Sequence, residues 1–201
     1  MERFSEKVFL QLKMPSEDTQ LSDEKRIRIA LETLGYAPIT IPLRVLRKLY
    51  PLCRDAGFDI TVTLVHRNHD WVVTDVEPGD TRQHHYGLAV DYGSTTIVME
   101  LVDMNSGAVI DQVKAVNGQV IYGTDILTRI TFAMEDSANP ELLQKATVKT
   151  FNSLLEQLME NTGIDTSRCP VMILSGNTTM IHFLLQLDAW TVFASPYAPV
   201  T

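Results

Sequence analysis

The sequence predicts an α/β protein in two units: a small α+β module over residues 1–80 and, after a polar linker at 81–85, a mixed sheet with helices over 86–201. Three observations predict it. Short apolar runs with period-two alternation mark strands, and longer stretches with apolar residues three and four apart mark helices. In the second unit these runs fall in the order βββ-α-α-β-α, which requires a mixed sheet with helices packed against it. A glycine turn with a carboxylate before it, Asp91-Tyr92-Gly93-Ser94-Thr95-Thr96, joins the first two of those strands.

In the first unit, residues 8–12 (Val-Phe-Leu-Gln-Leu) read as a strand that Met14-Pro15-Ser16 ends. Ser22 is placed to cap a helix carrying Ile27, Ala30, Leu31 and Leu34, which Gly35 stops. A second helix starts near Pro42, carries Val45, Leu46, Leu49 and Leu52, and closes at Gly57. Residues 59–66, with Ile60, Val62 and Leu64, and residues 70–77, with Val72, Val73 and Val76, form a hairpin through Arg67-Asn68-His69. Pro78-Gly79-Asp80 ends the unit.

The second unit opens with strands at 86–91, 96–102 and 108–116, the last two joined by the turn Asp103-Met104-Asn105-Ser106-Gly107. A helix over 123–134 faces inward with Ile126, Leu127, Ile130 and Ala133. The next has Asn139 as its cap, Pro140 as its first residue and Gly163 as its stop, with Leu143, Phe151, Leu154, Leu155 and Leu158 on its face. Residues 171–174 form a short buried strand, and Gly176-Asn177-Thr178-Thr179 opens a last helix with Met180, Phe183, Leu184 and Leu187.

Composition narrows the function. Net charge is −8, carried unevenly: residues 1–85 hold 12 Lys/Arg against 13 Asp/Glu, and residues 86–201 hold 5 against 12. The second half repels a polyanion, so nucleic acid is not an expected partner. The cluster Arg44, Arg47, Lys48 and Arg54 reads as a solvated helix face, with docking to an acidic partner as the alternative. No apolar run is long enough to span a membrane and residues 1–7 lack a signal-peptide core, so a cytoplasmic location is expected. Cys53 and Cys169 stand alone, a spacing that supports neither a zinc site nor an iron–sulfur site.

The chemistry concentrates in two loops. Asp91 ends an apolar run, where a carboxylate can hold Mg²⁺ through water; Gly93 permits close approach, and Ser94, Thr95 and Thr96 surround backbone N–H groups able to meet phosphate oxygens. The ordinary alternative is a hairpin turn in which Asp and Gly serve the backbone. Gly176, Asn177 and Thr178 lead from a strand into a helix N-terminus, a second anion-binding geometry whose alternative is a plain helix cap. Asp125 and Arg129 lie four apart, as an ion pair or as site residues. Asn117 and Gln119 are cleft groups or loop anchors, His84-His85 read as linker residues, and His182 reads as a satisfied, half-buried histidine.

A wider set of residues carries a resemblance. It comprises Tyr86-Gly87-Leu88-Ala89-Val90-Asp91 with the turn, Leu101-Val102-Asp103, Asn117-x-Gln119, Tyr122-Gly123-x-Asp125 with Arg129-Ile130, Gly176-Asn177-Thr178-Thr179-Met180-x-His182, and Ser195-Pro196-Tyr197. With these the chain resembles the ATP-dependent reductive activators of corrinoid proteins, within the actin, sugar-kinase and heat-shock-chaperone ATPase superfamily. The resemblance covers nearly the whole chain. It implies that 1–80 is a small middle domain and 86–201 the first, ribonuclease-H-like half of an actin-like ATPase fold.

The resemblance further implies an activity: restoring the cobalt of a corrinoid protein in a methyltransferase system from Co(II) to Co(I), with ATP and Mg²⁺ as cofactors and an N-terminal 2Fe–2S domain as electron source. By that implication Asp91 is the catalytic residue and holds Mg²⁺ through water, and Gly93, Ser94, Thr95, Thr96, Gly176, Asn177 and Thr178 bind the nucleotide. The partner is the corrinoid protein; a homodimer is an arrangement the sequence leaves open. The four-cysteine cluster domain is absent, and family members continue past Val200-Thr201 into the second half of the ATPase fold, so the chain is expected to be a fragment, inactive alone. Ser94, Tyr92 and Gly118 stand where threonine, isoleucine and proline are usual. A small-molecule kinase of the same superfamily and a non-enzymatic docking module are the competing readings.

Overall fold

Alternating apolar residues at 60, 62 and 64 become one inward-facing row of a strand, and the rest of the first unit assembles on it. The computed structural model describes residues 4–200. The first unit contains β1 (Ser5–Gln11), α1 (Asp23–Thr33), β2 (Ile39–Thr40), α2 (Leu43–Asp55), β3 (Asp59–Arg67) and β4 (Asp70–Pro78). Its sheet has the order β1-β3-β4-β2, with β1 and β4 antiparallel to β3 and β2 parallel to β4. Ile27 and Leu31 of α1, Val45 and Leu49 of α2, and Ile60, Val62 and Leu64 of β3 share one buried cluster. Removing each such side chain from water contributes about 1.5–3 kcal/mol. Ser22 caps α1 as predicted, accepting from Lys25 N–H at 3.1 Å. Asn68 and His69 both take positive φ, which the tight β3–β4 connection needs.

The segment 81–85 is packed rather than a free linker. Thr81 N–H donates to Thr61 Oγ1, Lys7 pairs with Glu77 and reaches Thr81, and buried His85 hydrogen-bonds Ser5 Oγ through Nε2 at 2.9 Å.

The second unit contains β5 (Tyr86–Tyr92), β6 (Thr96–Asp103), β7 (Val109–Val116), a 3₁₀ turn (Gly118–Tyr122), α3 (Ile126–Glu135), α4 (Asn139–Thr162), β8 (Met172–Gly176) and α5 (Thr178–Leu185). Sheet order is β7-β6-β5-β8, with β6 antiparallel to β7 and β5 parallel to β8. Val90 and Tyr92, Ile97, Met99 and Leu101 face a core that α4 completes with Leu143, Phe151, Leu154 and Leu158; Tyr92 and Phe151 meet edge-to-face at 5.5 Å. Gly163, at φ +70°, terminates α4 in the left-handed conformation that glycine adopts without penalty.

Four expectations change here. The strand at 171–174 is not buried: β8 is a sheet edge, and Met172 and Ile173 are exposed. The helix expected from 123 begins at Ile126, after the 3₁₀ turn. Within it Leu127 points outward while Arg129 is fully buried, because Gly123 O and Gln119 Oε1 receive its guanidinium. The cap of α4 is Ala138 rather than Asn139, whose side chain instead donates to Phe132 O at 2.7 Å. Among the described residues no helix is long and apolar enough to cross a membrane.

Candidate functional site: two loops at the ends of parallel strands

The parallel register of β5 and β8 decides the geometry. Asp91 aligns with Ser175 and Tyr92 with Gly176, so both strands end at the same level. The turn that leaves β5, Gly93-Ser94-Thr95, and the loop that leaves β8, Gly176-Asn177-Thr178, therefore emerge side by side. Ligands of open α/β sheets bind at this carboxyl edge. The backbones come close enough that a Cβ on Gly176 would lie 3.0 Å from Tyr92 O.

Alternation along β5 sends Tyr92 into the core and Asp91 to the opposite face. Asp91 is exposed and forms no ion pair with the described residues. It borders an open depression of about 740 Å³ whose lining includes Glu100, Gln112, Lys114 and Ser175. Gly93 is required by space: a Cβ there would sit 2.3 Å from Thr96 O. Thr95 and Thr96 are exposed, Ser94 is partly so, and none of their hydroxyls is engaged by a described residue.

Asn177 caps α5, accepting from Met180 N–H at 3.0 Å, which is the plain-cap role. Thr178 stays exposed beside it, its carbonyl 2.7 Å from His182 Nδ1. His182 is not half-buried but fully enclosed, and its Nε2 finds no hydrogen-bond partner among the described residues.

Asn117 and Gln119 act as loop anchors, in a buried polar network behind the turn whose partner Thr147 the residue types did not single out. Asn117 donates from Nδ2 to Gly93 O at 2.9 Å, its N–H donates to Thr95 O at 2.8 Å, and its Oδ1 accepts from Gln119 N–H at 3.0 Å. Gln119 Nε2 donates to Tyr92 OH, Thr147 Oγ1 and Leu143 O. Tyr92 OH also lies 2.7 Å from Thr147 Oγ1. Burial pushes the Tyr92 phenol up to about 12, against the hydrogen bond from Thr147, the charge of Arg129 and the hydrogen bond from Gln119. The guanidinium of Arg129 is lowered by burial, and its Nη2 has no described partner. The network was legible only as the pattern Asn117-x-Gln119 just past a strand end.

Asp125 and Arg129 do not pair. Asp125 caps α3, and the N–H and hydroxyl of Thr128 hold its carboxyl below the usual range. Among the described residues no three His, Cys, Asp or Glu side chains converge on a metal-sized site.

The residues fit a phosphate with hydrated Mg²⁺: a carboxylate without an ion pair, three unengaged hydroxyls, and a glycine that lets the turn close tightly against Thr96 O. They do not fit an iron–sulfur cluster. Cys53 is buried, and burial pushes its thiol up to about 11, with Asp23 adding to the shift and Arg54 opposing it. A cluster needs four thiolates, and the chain has two cysteines.

Comparison with known proteins agrees with the fold. Residues 1–83 match the RACo linker region and residues 86–201 the RACo middle region, so the name "middle" falls on the second unit rather than the first. The chain is similar to the corrinoid activation enzyme RamQ of Eubacterium limosum, at 26% identity, with 82% of this chain and 31% of that protein covered. It is also similar to a solved structure of a reductive activator for corrinoid, iron-sulfur protein, with a TM-score of 0.85, 28% identity, and 99% of this chain and 32% of that one covered. The chain thus spans about a third of the length of these relatives. With the two family models covering it nearly end to end, the chain belongs to the RACo family.

Proposed function

We propose that this chain is part of an ATP-dependent activator that supports reduction of Co(II) to Co(I) in a corrinoid protein of a methyltransferase system. In this reading it supplies one phosphate-binding hairpin and surface for the partner. The observation that carries the reading is the β5–β8 register, which sets the Gly93 turn and the Gly176 loop side by side with an unpaired Asp91. RamQ is named a corrinoid activation enzyme and the solved relative a reductive activator for corrinoid, iron-sulfur protein, and the likeness supports extending corrinoid activation to this chain.

Asp91 would hold Mg²⁺ through water, and the turn of Gly93, Ser94, Thr95 and Thr96 would offer N–H and hydroxyl donors to phosphate oxygens. Gly176, Asn177 and Thr178 would border the same ligand at the start of α5, where the helix dipole favours an anion. Mg-ATP supplies the phosphoanhydride energy; this chain's contribution is positioning and electrostatics, without a covalent intermediate. The single electron is assigned to the 2Fe–2S domain that the family resemblance implies, since the two cysteines here cannot form a cluster.

The test uses the gene product that contains this chain, a corrinoid protein, ATP and a reductant, with the Co(I) absorption band as readout. We expect ATP-dependent Co(I) formation and at least a tenfold loss in Asp91→Asn, the order of a lost charge-assisted interaction. Phosphate transfer to a small-molecule acceptor would select the kinase reading instead. Partner binding indifferent to nucleotide, with no Co(I) formed, would select the docking module.

A further inference from the structure

We infer that Asn117 is a positioning residue for the phosphate turn, fixing the direction of the Ser94 N–H without touching ligand; the inference rests on the turn being the phosphate site. The last pair of the β6–β7 ladder is Thr96 with Val116. Asn117 is the next residue and is fully buried. Its N–H holds Thr95 O at 2.8 Å, and its Nδ2 reaches past Ser94 to hold Gly93 O at 2.9 Å. Two carbonyls flanking Ser94 are thus fixed by one side chain and its own backbone.

Planarity makes this consequential. In a trans peptide the C=O and the following N–H point in opposite directions. With Gly93 O turned toward Asn117, the Ser94 N–H is turned away from it, toward the space in front of the turn. Without that contact Gly93 O has no described partner to hold it, and the peptide plane can rotate. Glycine has the widest range of torsions to do so. The clamp is braced in turn. Asn117 Oδ1 accepts from Gln119 N–H, Gly118 N–H donates to Thr150 Oγ1 at 3.1 Å, and Gln119 is tied to Tyr92, Thr147 and Leu143. A Cβ at Gly118 would meet Thr150 Oγ1 at 2.8 Å, so the strand end is seated tightly on α4.

The experiment is amide hydrogen exchange and Mg-ATP titration of the gene product that contains this chain, as wild type, Asn117→Asp and Asn117→Ser. Asn117→Asp sets a carboxylate oxygen against Gly93 O. Asn117→Ser keeps an oxygen for Gln119 N–H but is too short to reach Gly93 O, so it guards against a variant that simply fails to fold. In both variants we expect the N–H of residue 117, which donates to Thr95 O in the wild type, to lose about tenfold in exchange protection as the turn loosens, and Mg-ATP to bind about tenfold more weakly, the size of one hydrogen bond. The amides of Leu154 and Leu158 in the core of α4 should keep their wild-type rates.

Protection of the residue-117 N–H within about twofold of wild type overturns the inference, as does an equal loss of protection there and in the α4 core, which marks a general structural role. Wild-type binding of Mg-ATP with variant affinities unchanged also overturns it. Absence of Mg-ATP binding by the wild type instead defeats the phosphate reading, and the exchange rates then decide the clamp alone.

Discussion

At the scale of the residue, the buried hydroxyl of Tyr92 connects the turn to the helices. It meets Thr147 Oγ1 at 2.7 Å and Gln119 Nε2 at 3.1 Å with no exposure to water. Tyr92→Phe keeps the ring against Phe151 but leaves Gln119 Nε2 and Thr147 with fewer partners. A net loss of about 1 kcal/mol is expected, measured by urea unfolding. The pH dependence identifies the hydroxyl as the cause. The folded phenol is pushed up to about 12, above its ordinary value near 10. Its stabilisation is therefore complete below about pH 10 and declines as pH rises toward 12. The advantage of wild type over Tyr92→Phe should be flat at neutral pH and shrink over that alkaline window; a difference constant to pH 12 would refute the assignment. Tyr92 stands where the family resemblance suggests isoleucine, so here a polar anchor fills a place that the resemblance assigns to an apolar one.

At the scale of the element, strong local signals predicted well and non-local ones did not. Ser22 before a helical apolar pattern gives α1 its cap, and Ser22→Ala is expected to cost about 1 kcal/mol in thermal or chemical unfolding. Leu154→Ala, in the fully buried row of α4, is expected to cost about 2–5 kcal/mol by the same measurement. Strands β3 to β7 and the Gly163 stop were legible because alternation and left-handed glycine are properties of the chain itself. Strand β2 was missed because two residues carry no period. The 171–174 strand was misjudged because an apolar run reads alike in the middle and at the edge of a sheet; pairing decides, and β8 pairs only with β5. The inward residue of α3 was misjudged because Leu127 and Arg129 flank the Ile126, Ile130 and Ala133 face on opposite sides, and periodicity alone does not say which flank is covered. A carbonyl and a glutamine oxygen outside the helix drew Arg129 in and left Leu127 out. The site followed the same rule. Asp91–Thr96 and Gly176–Thr178 were each visible locally, whereas their adjacency depends on pairing Leu88 with Met172, a contact between distant parts of the chain.

At the scale of the whole molecule, charge sets the condition for binding phosphate. The chain carries −8 overall, with −7 of it in residues 86–201. The depression beside the turn is lined by Asp91 and Glu100 against one cation, Lys114. An anion brought to about 4 Å from an unshielded carboxylate is penalised by roughly 1 kcal/mol in water and about 4 kcal/mol at the effective dielectric of a protein surface. That is a roughly fivefold to nearly thousandfold loss of affinity, at its upper end larger than one backbone N–H donor recovers. A divalent cation between carboxylate and phosphate reverses the sign of the interaction. ATP binding to this chain is therefore expected to require Mg²⁺ and to fall at least tenfold when EDTA replaces it. Salt gives the second signature. A basic phosphate site weakens as ionic strength rises, but here the unpaired long-range term is repulsive. Raising NaCl from about 0.02 to 0.2 M, which shortens the screening length from roughly 20 to 7 Å, should leave Mg-ATP affinity unchanged or increase it. Titration calorimetry under the four conditions measures both effects, and equal binding in EDTA, or a steep loss with salt, would place the anion on cations elsewhere in the chain rather than on the Asp91 turn.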